Sequence, residues 1–373
     1  MSQEGVYSEN KMIWWLHREQ RLPDAPKQVQ LILSDLCNQD CSFCAYRMSG
    51  YTSNELFIGD SEPAAFGHNN PKRWIPTQRA LSLLDEMKAA GVLSIQFTGG
   101  GEPTVHPDHE AIFEKALALG LRCSLVSNGI KWSDRLIRSI LPRFDWVRVS
   151  IDAGNVDSYA RIRRTAPMHW TRAWANVQSL GFNVQQQQTP LELGVGFVVT
   201  PESYKEIVEF TEKASTSLAG NCRFTALFSP DDERPFAGIY DEIRGLLLEA
   251  RQRYESPHFR IHDNFGSRFD DLKQHRPDYG FCSYQYYTSY IGGDLKAYRC
   301  CLLAYNKRGL IAGGDLKERK FDEFWSSVER QKDLAALDPR GCERCQFNVK
   351  NRNMLYVMGN TESDTVSRHI EWP

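Results

Sequence analysis

From residue 28 onward the chain switches repeatedly between two hydrophobic periods. Short runs rich in Val, Ile, Leu and aromatic residues fall at 29–33, 93–97, 121–126, 146–151, 193–199 and 222–228. Each predicts a strand. Amphipathic stretches follow at 77–90, 108–119, 155–163, 171–180, 203–215 and 239–254, with another opening at Ser133. In the first, Thr77 follows Pro76 as cap, Leu81, Leu84 and Met87 share one face, and Gly91 is the stop. Six consecutive strand–helix units predict an α/β fold. Its sheet is parallel, its crossovers right-handed and both its faces covered. Six units are too few for a complete eight-fold barrel. A partial barrel and a doubly wound sheet both remain, and in either one ligands gather at the C-terminal ends of the strands.

Two stretches break the rhythm. Residues 46–75 form a long insertion rich in Gly, Asn, Ser and aromatics, and loops of that length are commonly functional. Residues 256–280 read as a linker. Beyond them lies a compact segment at 281–348 and a tail at 349–373, while 1–27 precede the core. No internal repeat is evident.

Composition adds little until the cysteines are considered. The chain has 373 residues, 41% hydrophobic and 25% charged, with a net charge of −2. This is the profile of a globular protein with a real core. It argues against a nucleic-acid backbone or an anionic membrane as main partner. The Arg161, Arg163, Arg164 group reads as a solvated helix face. The opening MSQEGVYSENKMIWW has no basic run leading into an apolar stretch, and no window suits a membrane span, so a cytoplasmic protein is expected. In a reducing cytosol the ten cysteines point to metal binding or catalysis rather than disulfides. Cys123 and Cys222 stand alone within apolar runs and read as core thiols.

The other cysteines gather in two groups. Cys37-x3-Cys41-x2-Cys44 directly follows the first strand. A closed zinc site would need a fourth ligand from far away. Three thiolates on one short loop also suit a [4Fe–4S] cluster with one iron left open. The loop resembles the signature of the radical S-adenosylmethionine superfamily, with Phe43 in its aromatic position. That resemblance covers roughly residues 28–230 and implies a partial (βα)6 barrel. It further implies that the open iron chelates the methionine moiety. One electron then cleaves S-adenosylmethionine to methionine and a 5′-deoxyadenosyl radical, and Phe43 meets the adenine.

Gly99-Gly100-Gly101-Glu102-Pro103, after the second strand, matches the family's GGE motif. By the resemblance, Gly100 and Gly101 let the backbone approach the ligand and Glu102 pairs with the methionine ammonium. Ser127 and Asn128 end the third strand, and Ser150 and Asp152 the fourth, where family members place ribose- and carboxylate-binding groups. Simple helix capping is the other reading for Ser127, Ser150 and Asp152.

Cys282, Cys300, Cys301, Cys342 and Cys345 form the second group. From spacing alone, four of them would make a structural zinc site. The segment resembles the auxiliary-cluster module called a twitch domain, a shortened SPASM domain. In it a β-hairpin at 292–300 and a helix at 321–328 separate the ligands. The resemblance implies a second [4Fe–4S] cluster on Cys282, Cys300, Cys342 and Cys345, with the adjacent Cys301 an open alternative to Cys300. Leu295 stands where that module usually has glycine.

Implied with these motifs are hydrogen abstraction, net oxidation of a small polar metabolite or modification of a peptide, and a flavodoxin- or ferredoxin-type electron donor. Substrate-side candidates are Asp152 and, in the insertion, Tyr46, Arg47, Tyr51, His68 and Trp74. His106 and His109 read as ordinary helix-start polar residues. The runner-up classes are a peptide maturase and a non-enzymatic metal protein.

Overall fold

The computed structural model describes residues 23–46 and 74–359. Arg47, Tyr51 and His68 lie outside the described residues, whereas Tyr46 and Trp74 lie within them. Ten strands form one sheet in the order β10-β9-β8-β1-β2-β3-β4-β5-β6-β7. The strands at the expected places are β1 (Gln28–Leu31), β2 (Ser94–Phe97), β3 (Arg122–Ser127), β4 (Trp146–Ser150), β5 (Glu192–Val199) and β6 (Asn221–Ala226). Each pairs in parallel with the next. From β1 to β7 the spatial order is the chain order, so this stretch lacks the reversal that defines a doubly wound sheet.

Helices α1 (Thr77–Ala89), α2 (His109–Ala118), α3 (Val156–Arg163), α4 (Met168–Gln187), α5 (Ile207–Ser215) and α6 (Tyr240–Tyr254) form the crossovers. Thr77 is not the acceptor cap of α1. Pro76 holds that position, and the Thr77 hydroxyl donates to Asp108 Oδ2 at 2.5 Å. Ser133 does cap the turn after it, accepting from Leu136 N at 2.9 Å, but that turn runs on as a π-helix over Leu136–Ile140. Among the described residues no helix is long and apolar enough to cross a membrane.

The expectation that both faces of the sheet are covered holds for β5 and for β8 (Thr288–Ile291) and only partly for β1 and β4, whose second face is half-buried. Burial alternates along β1 and β4, as Gln28-Val29-Gln30-Leu31 and Trp146-Val147-Arg148-Val149-Ser150, whereas β5 is buried from Leu193 to Phe197 and β8 throughout. Val29, Leu31, Phe97, Val147, Val149 and Phe224 are buried in the main core. Phe97, for example, packs on Phe113 of α2 with ring centroids 4.5 Å apart. The intervening positions, Trp146 apart, are polar and point to the opposite face, where Gln30 Nε2 donates to Gln96 Oε1 at 3.1 Å.

Residues 256–280 are not a linker. They hold a seventh parallel strand, β7 (Arg260–Asn264), and helix α7 (Phe265–Gln274). Phe259, Ile261, Phe265, Phe269 and Leu272 bury themselves in the main core, which holds the stretch in place. The C-terminal segment in turn extends the same sheet. After α8 (Tyr284–Tyr287), β8 (Thr288–Ile291) pairs in parallel with β1, and β9 (Lys296–Tyr298) and β10 (Leu310–Asp315) add antiparallel strands. Leu295, in the β8–β9 turn, has φ +61°, a conformation that glycine adopts without strain. Its burial beside Ala297 and Leu316 in the core offsets that strain. Helices α9 (Phe321–Ser326), α10 (Val328–Ala335) and α11 (Asn348–Gly359) follow within the described residues.

Candidate active site

The loop leaving β1 is fixed from two sides. Gly101 N donates to Ser34 O at 3.2 Å and Glu102 N to Leu36 O at 2.8 Å. On the other side, Ser42 N donates to Ile162 O at 2.9 Å and Asp40 N to Arg163 O at 3.2 Å, at the end of α3. A Cβ added at Gly100 would run into the Asp35 carboxylate, and one at Gly101 into the Leu36 carbonyl. These two glycines therefore let the turn after β2 pack onto the cysteine loop. The side on which a Cβ would stand faces protein at both glycines.

Cys37 is pushed up to about 12 by burial, with the charges of Cys41, Glu102 and Cys44 adding to it. Three thiols on one loop thus act on one another and on Glu102. Among the described residues no three His, Cys, Asp or Glu side chains close on the position of a single ion. A cubane asks something different, since each thiolate holds its own iron. The donor set fits such a cluster: thiols that resist ionisation when metal-free are deprotonated by coordination.

Glu102 is buried and richly hydrogen-bonded. Its Oε1 accepts from Thr104 N at 3.1 Å, Thr104 Oγ1 at 2.7 Å and Ser127 Oγ at 2.7 Å. Its Oε2 accepts from Asn128 N at 2.7 Å, leaving that oxygen room for a further donor such as an ammonium. Ser127 Oγ also accepts from Gly129 N at 3.0 Å and Trp132 Nε1 at 3.1 Å, and Asn128 Nδ2 donates to Asn38 Oδ1 at 2.6 Å. Ser127 and Asn128 therefore join the Glu102 turn to the cysteine loop rather than standing alone at a strand end.

The fourth strand end is organised by a residue that sequence reasoning missed. Arg163 is buried, not solvated. Its guanidinium donates to Asp152 Oδ2 and Ser150 O, to Ile151 O at 3.3 Å, to Gln39 Oε1 at 3.2 Å and to Cys41 Sγ at 3.1 Å. It also lies 5.5 Å from the Phe43 ring centroid. Burial opposes its charge, but Asp152 and Cys41 outweigh burial and hold it cationic. Asp152, at φ +64°, takes a second bond from Val198 N to Oδ1 at 2.6 Å. The signal was positional: Tyr159, Ile162 and Arg163 share the buried face of α3, and the spacing of that face was readable.

Residues 31–212 match the model of the radical SAM superfamily. This stretch is a radical SAM domain, and the chain is an enzyme. A curated relative is the S-adenosylmethionine-dependent nucleotide dehydratase of Flammeovirga pacifica. It is 27% identical over 149 residues, covering 40% of this chain and 46% of that protein. A second is the mycofactocin maturase MftC of Mycolicibacterium smegmatis, 23% identical over 238 residues, 62% of this chain and 52% of that one. The chain thus spans about half the length of these relatives. Among solved structures, Streptococcus suis SuiB bound to precursor peptide SuiA shares the fold, with a TM-score of 0.59 at 14% identity, covering 88% of this chain and 70% of SuiB.

C-terminal to the radical SAM domain, Cys282, Cys300, Cys342 and Cys345 line one cavity together with Tyr279 and Phe347. Phe347 stacks on Tyr284 with centroids 3.8 Å apart, closing one side. Burial pushes Cys282 up to about 11 and Cys345 to about 12. Cys301 is not among the lining residues. Its sulfur accepts from Gln346 Nε2 at 3.0 Å, and the residue packs between the tyrosine cluster of Tyr290, Tyr298 and Tyr305 and the cluster of Tyr284 and Phe347. Tyr46 joins that cluster, its hydroxyl 2.9 Å from that of Tyr290 and its ring edge-on to Tyr305. Trp74 instead lies beside the His106 ring at 5.7 Å. His106 and His109 bond to the Ile75 and His106 carbonyls, at 2.8 and 2.7 Å, which are local structural roles.

Proposed function

We propose that the chain is a radical S-adenosylmethionine enzyme that abstracts a hydrogen atom from a small polar metabolite and completes a net oxidation. Cys37, Cys41 and Cys44 hold a [4Fe–4S] cluster on a partial barrel. When bound, this group supplies one electron to S-adenosylmethionine and so a 5′-deoxyadenosyl radical. Glu102 orients the methionine ammonium through its free Oε2 direction, and Phe43 and the Ser150–Asp152 strand end border the adenosine. Arg163 holds the loop at Cys41 and fixes Asp152 below it. Cys282, Cys300, Cys342 and Cys345 hold the auxiliary cluster, an electron acceptor. A flavodoxin- or ferredoxin-type protein delivers electrons, in a reducing cytoplasm.

One observation carries this reading: the GGE turn and the three-cysteine loop pack directly on each other, with Glu102 close enough to Cys37 to raise its pKa. Anaerobic reconstitution with reductant and S-adenosylmethionine tests it. Wild-type chain forms 5′-deoxyadenosine, and Cys37→Ala, Cys41→Ala or Cys44→Ala abolishes it. Surviving formation in those variants overturns the reading. A second reading, modification of a peptide, is favoured by the relative named as a maturase. A panel of peptides and phosphorylated metabolites in the same assay separates the two.

A further inference from the structure

The sheet face turned away from the helices carries polar side chains on most of its strands. Register and side-chain contacts place Gln30, Gln96, Ser124, Arg148, Asn221 and Arg223 on it. The middle of this face is built around two glycines of β5. A Cβ on Gly194 would collide with the Asn221 amide, and one on Gly196 would stand 3.4 Å from Arg148 Cδ. Arg148 therefore lies across the bare backbone of β5 at Gly196, whose register partner on the far side is Arg223.

Arg148 is half-buried, yet it donates no hydrogen bond to any described residue. Its guanidinium stands 5.8 Å from the Trp146 ring centroid. The carboxylate acting on it is Asp152, whose oxygens are already bonded to Arg163 and to Val198 N. Its guanidinium donors are therefore left open to an acceptor that a ligand supplies. The position is also suited to the chemistry above it. Ser150, two residues on and on the same face, gives its carbonyl to Arg163, which touches Cys41. Two residues of strand are about 6.6 Å.

We propose that Arg148, lying across Gly196, binds an oxyanion of the substrate, a phosphate or carboxylate, about one layer of side chains below the three-cysteine loop. This rests on the proposed radical reaction only for which end of the substrate reacts. The planar guanidinium fork matches both oxyanions in bidentate fashion. The substrate is thereby an anionic small molecule whose charged end points into the sheet face, with its reacting C–H bond toward Cys41.

Calorimetry on the cluster-reconstituted full chain, under anaerobic conditions, tests this with inorganic pyrophosphate and malonate as probes. Wild-type chain binds at least one of them at a single site, and the tighter probe identifies the oxyanion. Arg148→Gln weakens that probe tenfold or more, and Arg148→Lys weakens it less. Gly196→Ala, which fills the strip under Arg148 without removing any charge, weakens it as well. Exposed Arg135→Gln leaves it unchanged. Failure of both probes to bind wild type overturns the proposal, as does full-strength binding by Arg148→Gln. An equal loss of S-adenosylmethionine affinity in Arg148→Gln also overturns it, because the arginine would then serve the cosubstrate carboxylate. A wild-type chain that cleaves S-adenosylmethionine but binds neither probe sinks the oxyanion site alone.

Discussion

Arg163 Nη1 lies 3.1 Å from Cys41 Sγ while Nη2 of the same guanidinium is paired to Asp152. One planar group therefore ties the cysteine loop to the end of β4. A lysine cannot reproduce this fork, because it offers a point charge in place of fixed, divergent donors. Arg163→Lys is expected to lower the rate of S-adenosylmethionine cleavage about 10–100-fold, the usual cost of losing a partner that orients a metal ligand. Loss of an N–H donor to the thiolate also moves the cluster midpoint potential downward. A redox titration followed by electron paramagnetic resonance reads that shift. An unchanged potential with normal iron content would show that Arg163 is only a structural tie.

Glu102 offers a sharper chemical test. Its carboxylate accepts four hydrogen bonds from the chain, two of them from backbone amides. Glu102→Gln keeps the shape but turns one acceptor into a donor. That NH2 must then face either Asn128 N or the Thr104 and Ser127 donors. Stability is expected to fall by about 1–3 kcal/mol, the cost of burying unmatched polar groups. Affinity for S-adenosylmethionine falls with it. Denaturant titration and equilibrium dialysis on the same preparation measure the two effects.

The rhythm of strands and helices from β1 to α6 was legible because each element carries its own period. The half-buried second face of β1 was legible too, in the alternation of Gln-Val-Gln-Leu, but it was overridden by the usual pattern of fully covered parallel sheets, which β5 and β8 do follow. Strand β7 escaped notice because Arg-Ile-His-Asp-Asn holds a single apolar residue. The parallel pairing of β8 with β1 could not be read at all, since the two strands are distant in sequence and neither pattern encodes its partner. Of the site, the cysteines and the GGE turn announce themselves by spacing. Arg163 was hidden by its type: a charge among charges reads as surface, although its position on the buried stripe of α3 says otherwise.

His106 gives a pH dependence with a defined sign. Its Nδ1 accepts from Asp108 N at 3.2 Å, so Nε2 carries the proton and donates to Ile75 O at 2.8 Å. Burial lowers its pKa below the ordinary 6.5. The folded state thus prefers the neutral ring. Stability from this residue is fully present above pH 6.5 and is lost as pH falls from there through the lower, folded value. Denaturant midpoints of the loaded chain taken between pH 7.5 and 5.5 are expected to fall, and His106→Gln to flatten that slope. A slope identical in both proteins would place the titration elsewhere.

Cys300 and Cys301 are neighbours in sequence but not in role. Both follow β9, which ends at Tyr298, and both pack against the cluster of Tyr284, Leu302 and Phe347. Cys300 joins Cys282, Cys342 and Cys345 around one cavity, whereas the sulfur of Cys301 is engaged by Gln346 and the residue also packs toward the tyrosines. Two clusters of four irons would give about eight irons per chain. Cys300→Ala is expected to leave about four, to spare 5′-deoxyadenosine formation and to stop substrate turnover. Cys301→Ala is expected to keep about eight irons, because a thiol outside the cavity holds none of them. Iron and sulfide analysis of the two variants, reconstituted side by side, decides the assignment. Equal losses would mean that the hairpin end rearranges to offer both sulfurs, and an inverted pattern would move the ligand to Cys301. A zinc site of four thiolates would instead leave both variants with the same four irons, those of the Cys37 loop, as the unsubstituted chain.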